Sequence, residues 1–279
     1  MTHLIAQTSF GPIEYRREGV GPVVLVLNGG HCSRTTRLSH ERLVTEGFTV
    51  LTPSRPGYDA TPAQVGRTAH QAADALATLL DTQEIPAVTV IGISAAGPTA
   101  LAFAQRHPDR TTGLILESAV TLPWDAATKR VARWPFGRME RRTWALVRFG
   151  LRWIPTLILR VMLQAFTTRP AAEMLRQMSA ADRQFVVAML TSMQSGSGFL
   201  LDLEHTVDGL DRIQTPTLVM YSPHDRSVPP QHAQHVAQHI VGCRLYAAPA
   251  DSHLIWIGPQ ADQVWQTRLA FVRSVTRVP

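Results

Sequence analysis

The stretch Thr89-Val90-Ile91-Gly92-Ile93-Ser94 ends a β-branched run on a hydroxyl, and Ala95, Ala96, Gly97 and Pro98 follow it. The apolar run predicts a buried strand. Pro98 predicts the first turn of a helix, where its missing N–H would be unpaired in any case. With a helix starting at Ala95 or Ala96, Ser94 occupies the tight turn between strand and helix. Such a turn is crowded, which accounts for Gly92 before the serine and Ala96 and Gly97 after it. A hydroxyl held there projects clear of the sheet, beside the free N–H groups of a helix start, where an anion is stabilised. Serine attacks only when a base removes its proton and a third group orients that base. The alternative is a small-residue turn carrying a surface serine.

Positioning such a group falls to strands and helices that alternate along the chain. Residues 13–17 alternate as a half-exposed strand does. Residues 23–28 form a continuous apolar run ending in Gly29 and Gly30, as a strand buried on both faces does. Short strands are also predicted at 48–52, 88–91, 113–116, 217–221 and 243–247, with helices at 70–81, 100–107, 231–239 and 259–275. This rhythm predicts an α/β fold, with a mostly parallel sheet and helices on both faces. It stops near Val120. From there to about Gln194 the chain reads as helices rich in Arg, Trp, Leu and Met, and residues 194–198 read as flexible, hinge-like punctuation. The expected organisation is a core of residues 1–121 and 199–279 interrupted by a helical insert, 122–198.

Gly92-Ile93-Ser94-Ala95-Ala96 resembles the nucleophile elbow of the α/β-hydrolase family, Gly-x-Ser-x-Gly, with alanine in place of the last glycine. In that family the acid and the histidine follow the serine in chain order. The segment 215–229 resembles the family's strand and acid loop, with Asp225 lying 131 residues after Ser94. The segment 250–256 places His253 after the last strand and before the last helix, where the family keeps its base. Asp225 also fits as an ordinary turn aspartate capping the next helix. Asp251 is a rival acid, too near His253 in sequence to be the obvious partner. Leu27-Asn28-Gly29-Gly30-His31 resembles the family's His-Gly-Gly loop with Asn28 in place of the usual histidine. The resemblance then implies an oxyanion hole made by the N–H groups of Ala95 and Gly30, with His31 as the alternative to Gly30. Residues 54–58 resemble the family's Asp-x-Pro-Gly-Tyr turn, with Ser54 in place of the acid, and are read as architecture. The resemblance covers everything except the insert, which in this family acts as a lid.

The net charge of +6 belongs to the insert. Between Pro123 and Arg160 nine basic residues face Asp125 and Glu140, so this segment carries +7 and the remainder about −1. Four of the six tryptophans lie there too (Trp124, Trp134, Trp144, Trp153). Two readings follow: an apolar acyl pocket under a cationic cap that attracts acidic substrates or anionic lipid, or an insert with its own small core and solvated arginines. His232, His235 and His239 have a spacing that suits a metal, but no carboxylate or cysteine completes a set, and a polar helix face is expected. The basic segment has no nucleic-acid-binding motif. With 45% hydrophobic and 17% charged residues the composition is that of a soluble globular protein. No membrane span and no secretory signal are expected. Cys32 and Cys243 read as reduced thiols in a cytoplasmic protein.

Taken together, the resemblance implies hydrolysis of a carboxylic ester or similar acyl bond through an acyl-enzyme, with His253, oriented by Asp225, activating Ser94. It implies no cofactor and no metal, and an apolar small-molecule acyl substrate. A serine nucleophile, where some relatives use aspartate, argues against dehalogenase and epoxide-hydrolase chemistry. The same triad serves amidase or peptidase, lactonase and C–C hydrolase chemistry, and an intact fold also serves as a non-catalytic ligand binder. Oligomeric state, acyl chain length and lid motion are not encoded in any motif.

Overall fold

The apolar runs pair into one eight-stranded sheet in the computed structural model, which describes residues 4–276. The strands are β1 (Leu4–Thr8), β2 (Gly11–Glu18), β3 (Val23–Leu27), β4 (Thr49–Pro53), β5 (Val88–Ile93), β6 (Thr111–Glu117), β7 (Thr217–Tyr221) and β8 (Arg244–Ala247). Their spatial order is β1-β2-β4-β3-β5-β6-β7-β8. β1 and β2 pair antiparallel, β2 pairs antiparallel with β4, and every later pairing is parallel. The sheet is mostly parallel, as the alternation predicts. β1 has no counterpart in the sequence reading, because Leu-Ile-Ala-Gln-Thr is short, mixed in polarity and lies at the sheet edge.

The central strands lack polar alternation because both their faces are covered. In β3, Val24 and Val26 enter one core while Leu25 and Leu27 enter the other. β5 divides in the same way, with Ile91 and Ile93 on the first side and Val88 and Val90 on the second. The second core packs beneath α1 (Ala69–Thr82), α2 (Gly97–Arg106) and α9 (Gln231–His239); the first packs against α10 (Ala261–Val275). Between β6 and β7 run α3 (Ala126–Phe136), α4 (Glu140–Trp153), α5 (Pro155–Phe166), α6 (Ala171–Gln177), α7 (Ala180–Ser192) and the short α8 (Gly198–Asp202).

These helices do not enclose a core of their own. Trp144, Leu163, Met189 and Met193 belong to the same apolar cluster as Ile91, Met220 and Phe271 of the α/β layers. Their aromatics divide: Trp144 is buried, whereas Trp134, Phe149 and Trp153 stand 64–73% exposed. Residues 194–198 differ from the hinge expected of a Gly/Ser-rich stretch. Gln194 N donates to His31 O at 2.9 Å, Ser195 N to Glu140 Oε1 at 2.6 Å, and Gly198 N to Gly57 O at 3.2 Å. A Cβ on Gly198 would lie 2.1 Å from the Tyr58 ring. Glycine is needed there for close approach, so composition reads as flexibility where packing is the cause.

Candidate active site

β3 and β5 lie side by side, while the chain leaves β3 toward β4 and β5 toward β6. Their carboxyl ends therefore flank a topological switch point, the place where open α/β sheets bind ligands. The loop after β5 carries Ser94, and the loop after β3 carries Gly29 and Gly30. Ser94 has φ +50°, the left-handed region that a non-glycine residue enters at a cost of about 1–3 kcal/mol. One turn of 3-10 helix, Ser94–Ala96, leads into α2, where Pro98 sits in the first turn. The close packing that the family's last elbow glycine serves falls one residue later here. A Cβ on Gly97 would meet Val120 O at 2.0 Å, while Ala96 is accommodated fully buried.

Asp225 and His253 come from the loops after β7 and β8. Asp225 Oδ2 lies 2.6 Å from His253 Nδ1, and both residues are buried. The other carboxylate oxygen, Oδ1, accepts Val228 N at 2.8 Å, which fixes the carboxylate plane. Helix α5 holds the imidazole from the far side: His253 N donates to Phe166 O at 2.8 Å, and the Phe166 ring stacks on it with centroids 5.7 Å apart. Asp251, the rival acid, is exposed and pairs with Arg169 at 2.8 Å, away from the imidazole.

Ser94, Ala95, Gly30 and His253 line one cavity of about 250 Å³. Apart from His31, Cys32 and Ser227, its remaining walls are apolar. Leu38, Ile93, Leu254 and Trp256 come from the α/β layers, and Trp124, Phe136, Trp144, Met162, Phe166, Met189, Met193 and Phe199 from the segment between β6 and β7. No Asp, Glu, Lys or Arg side chain is part of the lining. Cys32 faces the same cavity, but burial pushes its thiol up to about 12. It therefore stays protonated and cannot compete as a nucleophile, since the thiolate is the reactive form.

The Gly29–Gly30 peptide is fixed by groups to which the sequence reading assigned no chemistry. Gly29 O accepts Arg55 Nη2 at 3.0 Å and Cys32 N at 3.2 Å. In a trans peptide the next N–H points opposite to the carbonyl, so Arg55 determines where Gly30 N–H points. Arg55 is itself buried and gripped on both guanidinium arms by the carboxylate of Asp202. Burial lowers its pKa, but the charge of Asp202 more than offsets this and holds it above the ordinary value. Tyr58 Oη donates to Asp202 Oδ2 at 2.5 Å and accepts His31 N at 3.3 Å. His31 N–H is thus engaged by Tyr58 Oη rather than free. Asn28, in the place of the family's histidine, donates through Nδ2 to Ser33 O at 2.8 Å and Thr36 O at 3.1 Å.

The His31 side chain lies among Phe136, Trp144 and Phe199, with ring centroids 3.9–4.9 Å away, and Nδ1 is 3.0 Å from Ser195 Oγ. Burial, helped by the nearby Arg55 charge, lowers its pKa to about 3, so the ring is neutral at physiological pH. His232 accepts Thr121 N and Leu122 N through Nδ1 at 2.9 and 3.1 Å, and burial lowers its pKa to about 4. It anchors the start of the helical segment. Among the described residues no three His, Cys, Asp or Glu side chains are grouped to share an ion.

A sequence model of the alpha/beta hydrolase fold matches residues 22–257. The chain belongs to the α/β-hydrolase family. This α/β hydrolase is 34% identical over 274 residues to YcgS, an uncharacterized hydrolase of Bacillus subtilis, with 95% of this chain and 96% of that protein covered. It is 28% identical over 204 residues to a pimeloyl-[acyl-carrier protein] methyl ester esterase of Aromatoleum aromaticum, covering 71% and 78%. Among solved structures it resembles an alpha/beta hydrolase fold protein from Nakamurella multipartita, with TM-score 0.85, 26% identity, and 99% and 100% of the two chains covered. No helix among the described residues of the α/β hydrolase is long and apolar enough to cross a membrane.

Proposed function

We propose that this α/β hydrolase is a serine esterase acting on small apolar acyl esters. The observation that carries the reading is the His253–Asp225 pair at 2.6 Å, with Ser94 on the wall of the cavity that His253 also lines. The acceptor Asp225 directs Nδ1–H toward itself and leaves Nε2 as the base for the Ser94 proton. Attack on the ester carbonyl moves negative charge onto its oxygen. Gly30 N–H and Ala95 N–H receive that charge, each contributing about 3–4 kcal/mol as such donors do elsewhere. The imidazolium then protonates the leaving alcohol, and His253 activates the water that releases the acyl group from Ser94. The left-handed backbone of Ser94 suits a nucleophile presented clear of the sheet.

The cavity supports the substrate class. At about 250 Å³ it lies just under the ~300–1,000 Å³ of most small-molecule sites, and its lining has nothing to neutralise a charged acyl tail. An ester rather than an amide agrees with the methyl ester esterase among the relatives. In this reading the helical segment 122–198 is a lid that supplies the roof of the acyl pocket. A fluorophosphonate probe is expected to label the wild type and not Ser94→Ala. A p-nitrophenyl ester series is expected to favour short neutral acyl chains over dicarboxylic half-esters. Equal labelling of both proteins would remove Ser94 from the reaction.

A further inference from the structure

The outward faces of α4 and α5 form a surface that the proposed hydrolysis does not use. Leu146, Phe149, Trp153, Ile154, Leu157 and Val161 are each 51–69% exposed. Apolar residues exposed singly are ordinary, but six gathered on two adjoining helices and the residue joining them form an apolar surface of the kind that marks contact sites. The Phe149 and Trp153 rings touch, with centroids 6.3 Å apart. Arg141, Arg142, Arg152 and Arg160 are interleaved with them and exposed, and none pairs with a carboxylate among the described residues. Residues 141–172 contain no Asp or Glu at all. The other two arginines of that stretch are committed elsewhere, Arg148 to Met193 O and Arg169 to Asp251. The opposite faces of the same helices roof the cavity through Trp144, Met162 and Phe166.

A face both apolar and uniformly cationic is complementary to an anionic phospholipid surface. Its rings and aliphatic side chains fit the boundary between headgroups and acyl chains, while guanidinium groups meet phosphates. A second copy of this chain fits poorly. A two-fold contact would set these arginines against themselves with no acid between them. We propose that the α4–α5 face is a peripheral docking surface for anionic membranes, which lays the roof of the cavity against the bilayer. Docking of this kind needs no turnover, so it stands or falls apart from the esterase reading.

Cosedimentation of the full chain with phosphatidylglycerol–phosphatidylcholine vesicles, against phosphatidylcholine alone, tests the assignment. Binding is expected only to the anionic vesicles, and it should vanish near 1 M salt, where the Debye length falls to about 3 Å. Each arginine is worth about fivefold at such a surface. Arg141→Gln, Arg142→Gln, Arg152→Gln and Arg160→Gln combined should therefore weaken binding by several hundredfold at an unchanged melting temperature. The same four sites changed to Lys should retain most of the binding. Phe149→Ala with Trp153→Ala should weaken it with all charges kept. The proposal is overturned by a wild type that ignores anionic vesicles, or by equal binding of the four-Gln protein. A wild-type dimer in sedimentation velocity that Phe149→Ser with Trp153→Ser dissolves would also overturn it, giving this face to a second copy.

Discussion

The guanidinium of Arg55 is absent from the cavity lining, yet it determines the direction of an N–H that the proposed chemistry needs. Lysine keeps the charge but loses the planar fork that grips Asp202 and Gly29 O together. Arg55→Lys is expected to lower kcat by up to about 100-fold with little change in KM, because the Gly30 donor serves the transition state more than the bound ester. A rise in KM at constant kcat would show instead that Arg55 only shapes the pocket. The placement of Ser94, Asp225 and His253 beyond strand ends was legible because each carries a local signal: a small-residue turn, or a position just past a predicted strand. Arg55 carries none. Its partner Asp202 lies 147 positions away, and only folding makes the arginine a clamp.

Element positions are held by polar groups that hydrophobic patterning does not reveal. At the end of β6, Glu117 is fully buried and accepts Arg268 Nε at 2.6 Å, Trp256 Nε1 at 2.6 Å and His40 Nε2 at 3.0 Å. Burial alone would raise its carboxyl, but the Arg268 charge and the His40 contact hold it far below the usual carboxylate range. One side chain thereby ties β6 to α10 and to the Trp256 wall of the cavity. Glu117→Gln leaves a buried guanidinium without its counter-charge, a loss of about 3–5 kcal/mol. The melting temperature should fall by roughly 5–9 °C at this chain length, and a drop under about 2 °C would show that Arg268 finds another partner. The sequence reading missed this cluster because its four members spread from His40, ahead of β4, to Arg268 in α10, and none repeats with the period of its element. The central strands were legible from burial on both faces, and β1 was not because its run is short and mixed in polarity.

At the scale of the molecule, acid is the condition to which the buried histidines respond. An unfolded histidine titrates near 6.5, whereas burial holds His31 at about 3 and His232 at about 4. Between those values and 6.5 the unfolded chain binds protons that the fold refuses. Their contribution to stability is therefore complete above about pH 6.5 and is lost as the pH falls toward 3. Urea unfolding in steps from pH 7 to pH 4 should show declining stability, with a shallower slope in His31→Gln. An equal slope in both proteins would take His31 out of the account. The first core runs without interruption from the sheet into α4, α5 and α7. Unfolding is accordingly expected as a single transition, with intrinsic fluorescence and far-ultraviolet circular dichroism coincident. A separate early fluorescence step would contradict that continuity.

The bonds from residues 194–198 to His31 and Gly57 have a consequence for engineering by chimera. Transplanting residues 122–198 from a relative would carry the donors at 194 and 198 without the loops that receive them. A working graft must bring residues 29–31 and 55–58 along as one inherited unit. Swapping the segment alone is therefore expected to yield a folded protein whose probe labelling is slow, and joint transfer to restore it.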